Sequence, residues 1–399
     1  MSLLDYLNDP RVWNAFYEYK ESLAVPKQFT KKLRAFIDGE EYHGVTDSIR
    51  AGEPFPLPEK KIVSKLGSEK KRVVYTYPEA ENTVLKLLTW LLLRRYDGIF
   101  SKGLYSFRPG RTAKDAVRHL LRSGNVLRMY GYKVDIHDYF NSVPVGRLLP
   151  MLGEVLADDA ELFAFLSSLL TEPGVTDRGR RIEEKKGIMA GTPLSAFFAN
   201  LFLADLDRHF VDLGIPYVRY SDDIILFAAT EAEREEHARF VLDFLAERDL
   251  DVNPAKEERF SPGEGFSYLG FFYSGDKVDI APVSVRKMKQ KMRRKRDAIE
   301  RWRKRNGLER EKAARAFIRV FNRKLLEAPD DHELSWCSWF FPLITTTESL
   351  HEIDLYAQDC IRCLMSGTHT KARFNVRYED LKRMGYRSLV HEYYGRKDE

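Results

Sequence analysis

Hydrophobic and polar positions follow different periods along the chain, and the changes between them suggest its organisation. Residues 1 to about 55 read as short helices joined by polar connections, with Leu4, Trp13, Phe16 and Tyr17 spaced for one helical face. A Pro-rich break follows over 52–58. Two short β-like runs then flank Gly67 over 61–78, and Leu85, Leu88 and Leu92 mark one face of a helix over 79–96. From Val126 the texture is mixed. It predicts a strand over 127–135, a helix from about Pro144, a helix over 193–213, a tight hairpin over 215–229 and a helix over 231–248. Beyond Pro282 the pattern is helical almost to Glu399, and no internal repeat is visible.

Composition adds bounds. The 399 residues are 44% hydrophobic and 31% charged, enough apolar material for a sizeable core and for two or three domains. The net charge of +5 conceals an uneven distribution. Between 286 and 305 there are twelve Lys or Arg against Asp297 and Glu300, a local +10 that leaves −5 for the rest. Density alone leaves a solvated helix face and a polyanion-binding element evenly matched. The N-terminal stretch lacks the basic and apolar regions of a signal peptide. The most apolar stretch, 84–93, is broken by Lys86 and is too short to span a bilayer. Membrane association is therefore not expected. Cys337, Cys360 and Cys363 rule out a disulfide scaffold and suit a reducing cytoplasm. Cys360 and Cys363, with Cys337 or His332, offer zinc ligands, against a default of buried thiols.

The strongest chemical signal is Tyr220-Ser221-Asp222-Asp223 between two apolar runs, the pattern of a β-hairpin with adjacent carboxylates at its tip. Ser-Asp-Asp is good turn chemistry in itself, but adjacent acids between buried strands also call for a cation. Asp135 ends another apolar strand. Acids on neighbouring strand ends can hold two Mg²⁺ ions about 3.5–4 Å apart, one activating a hydroxyl and the other neutralising a leaving pyrophosphate. Asp138, three residues on, reads as a helix cap.

In this order the residues resemble the motifs of reverse transcriptases. Asp135 with Phe140 five residues later is similar to the first catalytic motif, and 187–195 to the next, including the helix after it. Tyr220 to Asp223 resembles the YxDD box, Asn253-Pro254-Ala255-Lys256 the lysine motif, and 266–271 the primer-grip hairpin. Upstream, 106–111 resembles the fingers motif of the group II intron-like branch. The resemblance spans roughly 60–275. It implies an α+β right-hand polymerase fold: fingers and palm with antiparallel sheet plus helices, then an all-helical thumb. The partition it suggests is a helical N-terminal extension (1–58), fingers (59–125), a palm with an inserted fingers segment (126–278), and a helical thumb and C-terminal region (279–399).

The same resemblance implies roles. Asp135, Asp222 and Asp223 form the catalytic set, the first two as ligands of Mg²⁺ or Mn²⁺ and the third as a supporting carboxylate. Phe140 is the expected steric gate against a 2′-hydroxyl. Gly191 and Pro193 shape the loop against the templating pair. Lys65 and Arg72 pair with the triphosphate, and Lys256 meets the pyrophosphate or else lies on the surface. Arg108 and the turn Tyr268-Leu269-Gly270 contact nucleic acid, and Lys287, Lys291, Arg294 and Lys295 grip a duplex backbone. Two departures stand out: Ala190 where the family usually carries Gln, and Ala196 where Pro is common.

The expected function is RNA-directed DNA synthesis from dNTPs on an RNA template. Residues 365–394 interleave aromatics and cations, either to grip single-stranded RNA or to form a packed helical cap. They resemble the tails of stand-alone bacterial reverse transcriptases of the unknown-group and abortive-infection kind. That implies a cytoplasmic antiphage enzyme working with a non-coding RNA, and with a partner protein or a second copy as further partners. The alternatives are untemplated or protein-primed DNA synthesis on the same fold, and a non-catalytic RNA-binding scaffold.

Overall fold

The computed structural model describes residues 1–23, 25–64, 71–123, 125–327 and 335–396. Residues 1–23 with 27–262 make one compact unit, and the chain from 263 onward makes the body of a second.

The first unit is built on two sheets. One orders its strands β2-β1-β4-β5, where β1 is Glu59–Ser64, β2 Lys71–Thr76, β4 Gly174–Asp177 and β5 Arg180–Glu183. Glu59 pairs in parallel with Thr176, so the hairpin 174–183 joins a sheet begun more than a hundred residues earlier. The other sheet runs β6-β7-β3-β8, all antiparallel, with β3 Tyr130–Asp135, β6 Tyr217–Tyr220, β7 Asp223–Ala228 and β8 Glu258–Phe260. Ile224 to Ala228 are all buried, so β7 lacks the alternation of a half-exposed strand. Gly131 is required where β3 crosses Phe260, because a Cβ there would lie 1.7 Å from that ring. The helix Glu79–Arg95 buries Leu85, Leu88 and Leu92 as expected. Acids in its first turn and Arg94-Arg95 in its last suit the helix dipole.

Three expectations shift. Leu4 lies in a separate 3₁₀ turn, Leu3–Asn8, because Asp9 caps a new helix, Pro10–Glu21, through a 2.8 Å bond to the Arg11 N–H. The strand predicted from 127 starts at Tyr130, after a 3₁₀ turn over Val126–Arg128. The helix expected over 193–213 is two helices, Ser195–Phe202 and Ala204–Asp212, parted at Leu203, where ψ is 14°. No proline or glycine marks that break.

The second unit begins with a three-stranded antiparallel sheet, β11-β10-β9: β9 Phe266–Tyr268, β10 Phe271–Ser274 and β11 Lys277–Ile280. The palm limit expected at 278 therefore falls inside this sheet, on the helical unit's side of the division. The helix Pro282–Arg305 starts with Pro at N1 and buries Val285, Met292 and Ile299 at seven-residue intervals. At the C-terminal end, Asp354 accepts bonds from the Tyr386 and Ser388 hydroxyls and from the Leu389 and Val390 N–H groups. Tyr386 and Tyr393 are thus core residues of a packed cap, while Phe374 and Tyr394 stay exposed. Among the described residues no helix is long and apolar enough to cross a membrane.

Candidate active site

The β3–β7 register sets Asp135 directly opposite Asp223. Tyr220 pairs with Asp223, so Ser221 and Asp222 form a two-residue turn. The tip therefore carries one acid, and the second opens β7. Backbone bonds fix the arrangement: the Ile136 N–H donates to the Asp222 carbonyl at 3.2 Å, and the Asn253 N–H to the Asp135 carbonyl at 2.8 Å. The second bond also ties in the loop that carries Lys256, whose Nζ is hydrogen-bonded to Asp135 Oδ2. Asp135 is buried, and Asp222 and Asp223 are partly so. Burial, then the Asp135 charge, raises Asp222 above the usual carboxylate value. Burial, then Asp222 and Asp135, pushes Asp223 up to about 7. Asp138 sits at the N-cap of the short helix Tyr139–Ser142 but makes no side-chain cap bond; its carboxylate accepts from the Asn141 amide instead.

Beneath the turn lies a buried polar network that the motifs do not announce. Ser221 has φ 61°, a conformation that favours glycine. Its N–H donates to Ser106 Oγ at 2.9 Å and its carbonyl accepts from Arg219 Nη1 at 3.2 Å. Arg219 and Asp207 are both fully buried and meet through two bonds, Nε to Oδ1 at 2.7 Å and Nη2 to Oδ2 at 2.6 Å. Tyr217 donates to the same carboxylate at 2.7 Å, and Asn200 donates to the Ser106 carbonyl at 2.9 Å. Burial alone would lower the Arg219 pKa, but the Asp207 carboxylate outweighs it and raises it. The sequence signal was an Arg inside an otherwise apolar strand, which a buried partner must accompany.

A second group surrounds the loop after Gly187. Asn141 donates to the Val73 carbonyl at 3.3 Å and accepts from the Ala190 N–H at 3.2 Å. The Tyr75 N–H donates to the Ala190 carbonyl at 2.7 Å, so this loop is hydrogen-bonded to β2. Gly191 has φ 97°, and a Cβ there would sit 3.1 Å from the Tyr75 carbonyl and 3.2 Å from Val74 Cβ. Gly191→Ala is accordingly expected to destabilise the unit by roughly 1–3 kcal/mol through backbone strain and crowding. A urea titration against wild type measures it. Arg72 is exposed and shares the strand face of Val74, against which Gly191 packs. Pro193 is partly buried two residues before the helix Ser195–Phe202. Phe140 is partly buried and meets Phe107 edge-to-face at 6.3 Å.

The remaining candidates divide. Lys65, Gly67 and His332 lie outside the described residues. Arg108 is not free for phosphate: it is buried, pairs with both Asp97 oxygens at 2.7 and 2.8 Å, and donates to the Ser101 carbonyl at 2.5 Å. It braces the 97–108 segment, from which Ser106 reaches the Ser221-Asp222 turn. In the second unit Tyr268 is buried, and Leu269-Gly270 forms a two-residue turn with φ 48° and 88°. Lys287, Lys291, Arg294 and Lys295 are exposed along the helix Pro282–Arg305. Lys289, Arg296 and Arg303 on that helix are paired with acids. All three cysteines are free and buried, and burial raises Cys360 to about 12. Among the described residues no three His, Cys, Asp or Glu side chains form a ready-made metal group.

The family model described as reverse transcriptase (RNA-dependent DNA polymerase) matches residues 60–273, more than half of the chain. The group II intron-encoded protein LtrA of Lactococcus lactis subsp. cremoris is 22% identical over 241 residues, 59% of this chain and 39% of that protein. An uncharacterized 91 kDa protein in the cob intron of Schizosaccharomyces pombe is 24% identical over 169 residues, 42% of this chain and 21% of its own length. The chain thus spans well under half the length of these curated relatives. Apo telomerase from Candida tropicalis has a similar fold, with TM-score 0.51 and 11% identity over 83% of this chain and 60% of that one. With the matched segment carrying every core motif in order, the chain belongs to the reverse transcriptase family and is group II-like within it.

Proposed function

We propose that the chain is an RNA-directed DNA polymerase, with Asp135 and Asp222 holding Mg²⁺ and Asp223 supporting them. The observation that carries this reading is the cross-strand register, which puts three acids at one end of β3 and β7. The donors are all hard oxygens, and Mg²⁺ typically takes only one or two protein carboxylates, filling its shell with water and substrate phosphate. The metal would supply charge neutralisation and a more acidic attacking hydroxyl. The chain's own residues set position. The β-turn presents Asp222, β3 presents Asp135, and Lys256 supplies a cation to the Asp135 carboxylate that can serve a phosphate once metal takes that place. Arg72 offers an exposed guanidinium for the triphosphate, and the same role is proposed for Lys65, which lies outside the described residues. Gly191 and Pro193 border the nascent pair.

Phe140 acts as the gate under the sugar. Phe140→Ala is expected to raise incorporation of rNTP relative to dNTP by roughly ten- to a hundredfold, the range of a steric contact. Single-nucleotide extension with each triphosphate measures it. In the second unit the Leu269-Gly270 turn and the exposed cations of the helix Pro282–Arg305 hold a duplex by its phosphates. The template is RNA and the product DNA. We place the protein with cytoplasmic antiphage enzymes that use a non-coding RNA, a reading supported by the C-terminal resemblance.

Primer extension by the purified chain tests the polymerase reading. Failure to incorporate dNTPs on any template, or on co-purified RNA, with Mg²⁺ or Mn²⁺ would overturn it. Random or homopolymeric product would favour untemplated synthesis instead. Sequencing nucleic acid co-purified with wild type and with Asp222→Ala identifies the RNA partner.

A further inference from the structure

Three elements of the first unit meet around the side-chain amide of Asn141. They are the short helix Tyr139–Ser142, which carries Phe140, the strand β2, which carries Arg72, and the loop 187–191. The loop reaches the helix at Gly187, where φ is 53° and a Cβ would lie 2.6 Å from the carbonyl oxygens of Phe140 and Asn141. Glycine permits that approach. The Phe140 carbonyl accepts from the Ile188 N–H at 2.9 Å, and at the other end of the loop the Ala190 carbonyl accepts from the Tyr75 N–H at 2.7 Å. These are backbone bonds, open to almost any sequence. Asn141 adds bonds that depend on its side chain. Its Oδ1 accepts from the Ala190 N–H at 3.2 Å, and its Nδ2 donates to the Val73 carbonyl at 3.3 Å and to Asp138 Oδ1 at 3.2 Å. An amide carries both a donor and an acceptor, so it can serve loop and strand at once. The Ala190 side chain ends at Cβ and contributes no polar group of its own.

The joint lies between two residues that face an incoming nucleotide. Phe140 is the neighbour of Asn141 in sequence, and Arg72 shares the β2 face of Val74, against which Gly191 packs. The spacing of the ring and the guanidinium is therefore set through the loop and the amide that ties it to β2. A steric wall discriminates only while it holds still, and a site loosened by about 1 Å loses much of its selectivity and rate. We propose that Asn141 is a positioning residue for nucleotide selection, which fixes the Phe140 ring relative to β2 so that the site closes on a deoxyribose and rejects a 2′-hydroxyl. It acts through Phe140 and Arg72 and touches no reacting atom. The inference rests on the polymerase reading, with Phe140 as the gate.

The test uses the full chain and single-nucleotide primer extension with dNTP and rNTP at varied concentration. Asn141→Ala should raise the KM for dNTP about tenfold, keep kcat within about twofold, and lower the preference for dNTP over rNTP about fivefold. Asn141→Asp keeps the acceptor for the Ala190 N–H but has no donor for the Val73 carbonyl, so it should not restore selection. Tyr75→Phe is the structural control. The Tyr75 hydroxyl donates to Glu184 Oε1 at 2.6 Å from the β2 face opposite Arg72, so its loss should cost stability and leave sugar selection unchanged. Hydrogen–deuterium exchange reads the joint without activity: the Ala190 amide should exchange about tenfold faster in Asn141→Ala and at the wild-type rate in Tyr75→Phe. Wild-type KM and selection in folded Asn141→Ala would overturn the proposal. So would selection restored by Asn141→Asp, an equal loss in Tyr75→Phe, a fall in kcat alone, or unchanged exchange at Ala190. Phe140→Ala run alongside separates the failures. If it relaxes sugar choice and Asn141→Ala does not, the positioning role falls and the gate stands. If neither variant shifts selection, both roles fall and the polymerase stands. A wild-type chain that incorporates no nucleotide removes the polymerase reading and this inference with it.

Discussion

Asp222→Asn is expected to abolish dNTP incorporation, by on the order of a thousandfold or more, without unfolding the chain. The substitution keeps the shape of the turn, because the Asp222 backbone carbonyl still accepts from Ile136 and the Ser221 bonds are untouched. It removes a charge whose folded environment opposes it, since burial and Asp135 both raise the Asp222 pKa. Without divalent metal the variant should therefore be at least as stable as wild type. Paired measurements of extension rate and thermal midpoint check both halves, and a folded Asp222→Asn protein with near-normal extension would exclude Asp222 as a metal ligand.

The same environment predicts a pH dependence for the metal-free protein. Asp223 has a folded value of about 7 against an ordinary 3.8, so the folded state binds its proton more tightly than the unfolded one. Stability should be undiminished by this group below about pH 4 and fall as pH rises toward 7. The loss is at most about 4 kcal/mol and less with solvent screening, because the group is only partly buried. Asp223→Asn or added Mg²⁺ should flatten the profile in urea titrations between pH 4 and 8. An identical slope in variant and wild type would contradict the repulsion.

Arg219→Ala should strongly destabilise the first unit. It leaves the fully buried Asp207 with only the Tyr217 bond, at a cost of about 3–5 kcal/mol. It also frees the Ser221 carbonyl of its buried donor. The double change Asp207→Leu with Arg219→Met should recover much of the stability, because an apolar pair replaces an ionic one without a stranded charge. It should not recover extension, because methionine offers the turn no hydrogen bond. Recovery of both properties would make Arg219 a packing residue rather than a positioning one. Ser106→Ala, which removes the acceptor of the Ser221 N–H, gives a milder version of the same defect.

The carboxylate constellation was legible because its parts are local. An acid at the end of an apolar run and a polar step between two apolar runs place side chains by period alone, and Asp135, Asp222 and Asp223 do meet across β3 and β7. Arg108 was misjudged for the complementary reason. Its motif is real, but whether an arginine faces phosphate or a carboxylate of its own chain depends on Asp97, eleven residues away, and on carbonyls that only folding aims at it.

The helix break at Leu203 shows the same limit. It has no local marker, and Asp207 on the following short helix meets Arg219 across the core. Periodicity, turn chemistry and charge distribution by themselves determined the mixed fold, the acidic turn and the basic helix, since each follows from neighbours along the chain. The tertiary structure alone decided which polar groups are buried with which. It set the Arg219–Asp207 pair under the turn and brought the Asn141 amide between β2 and the loop after Gly187. Those outcomes depend on long-range contacts, where the expense of an unpaired buried group is settled by residues far apart in sequence.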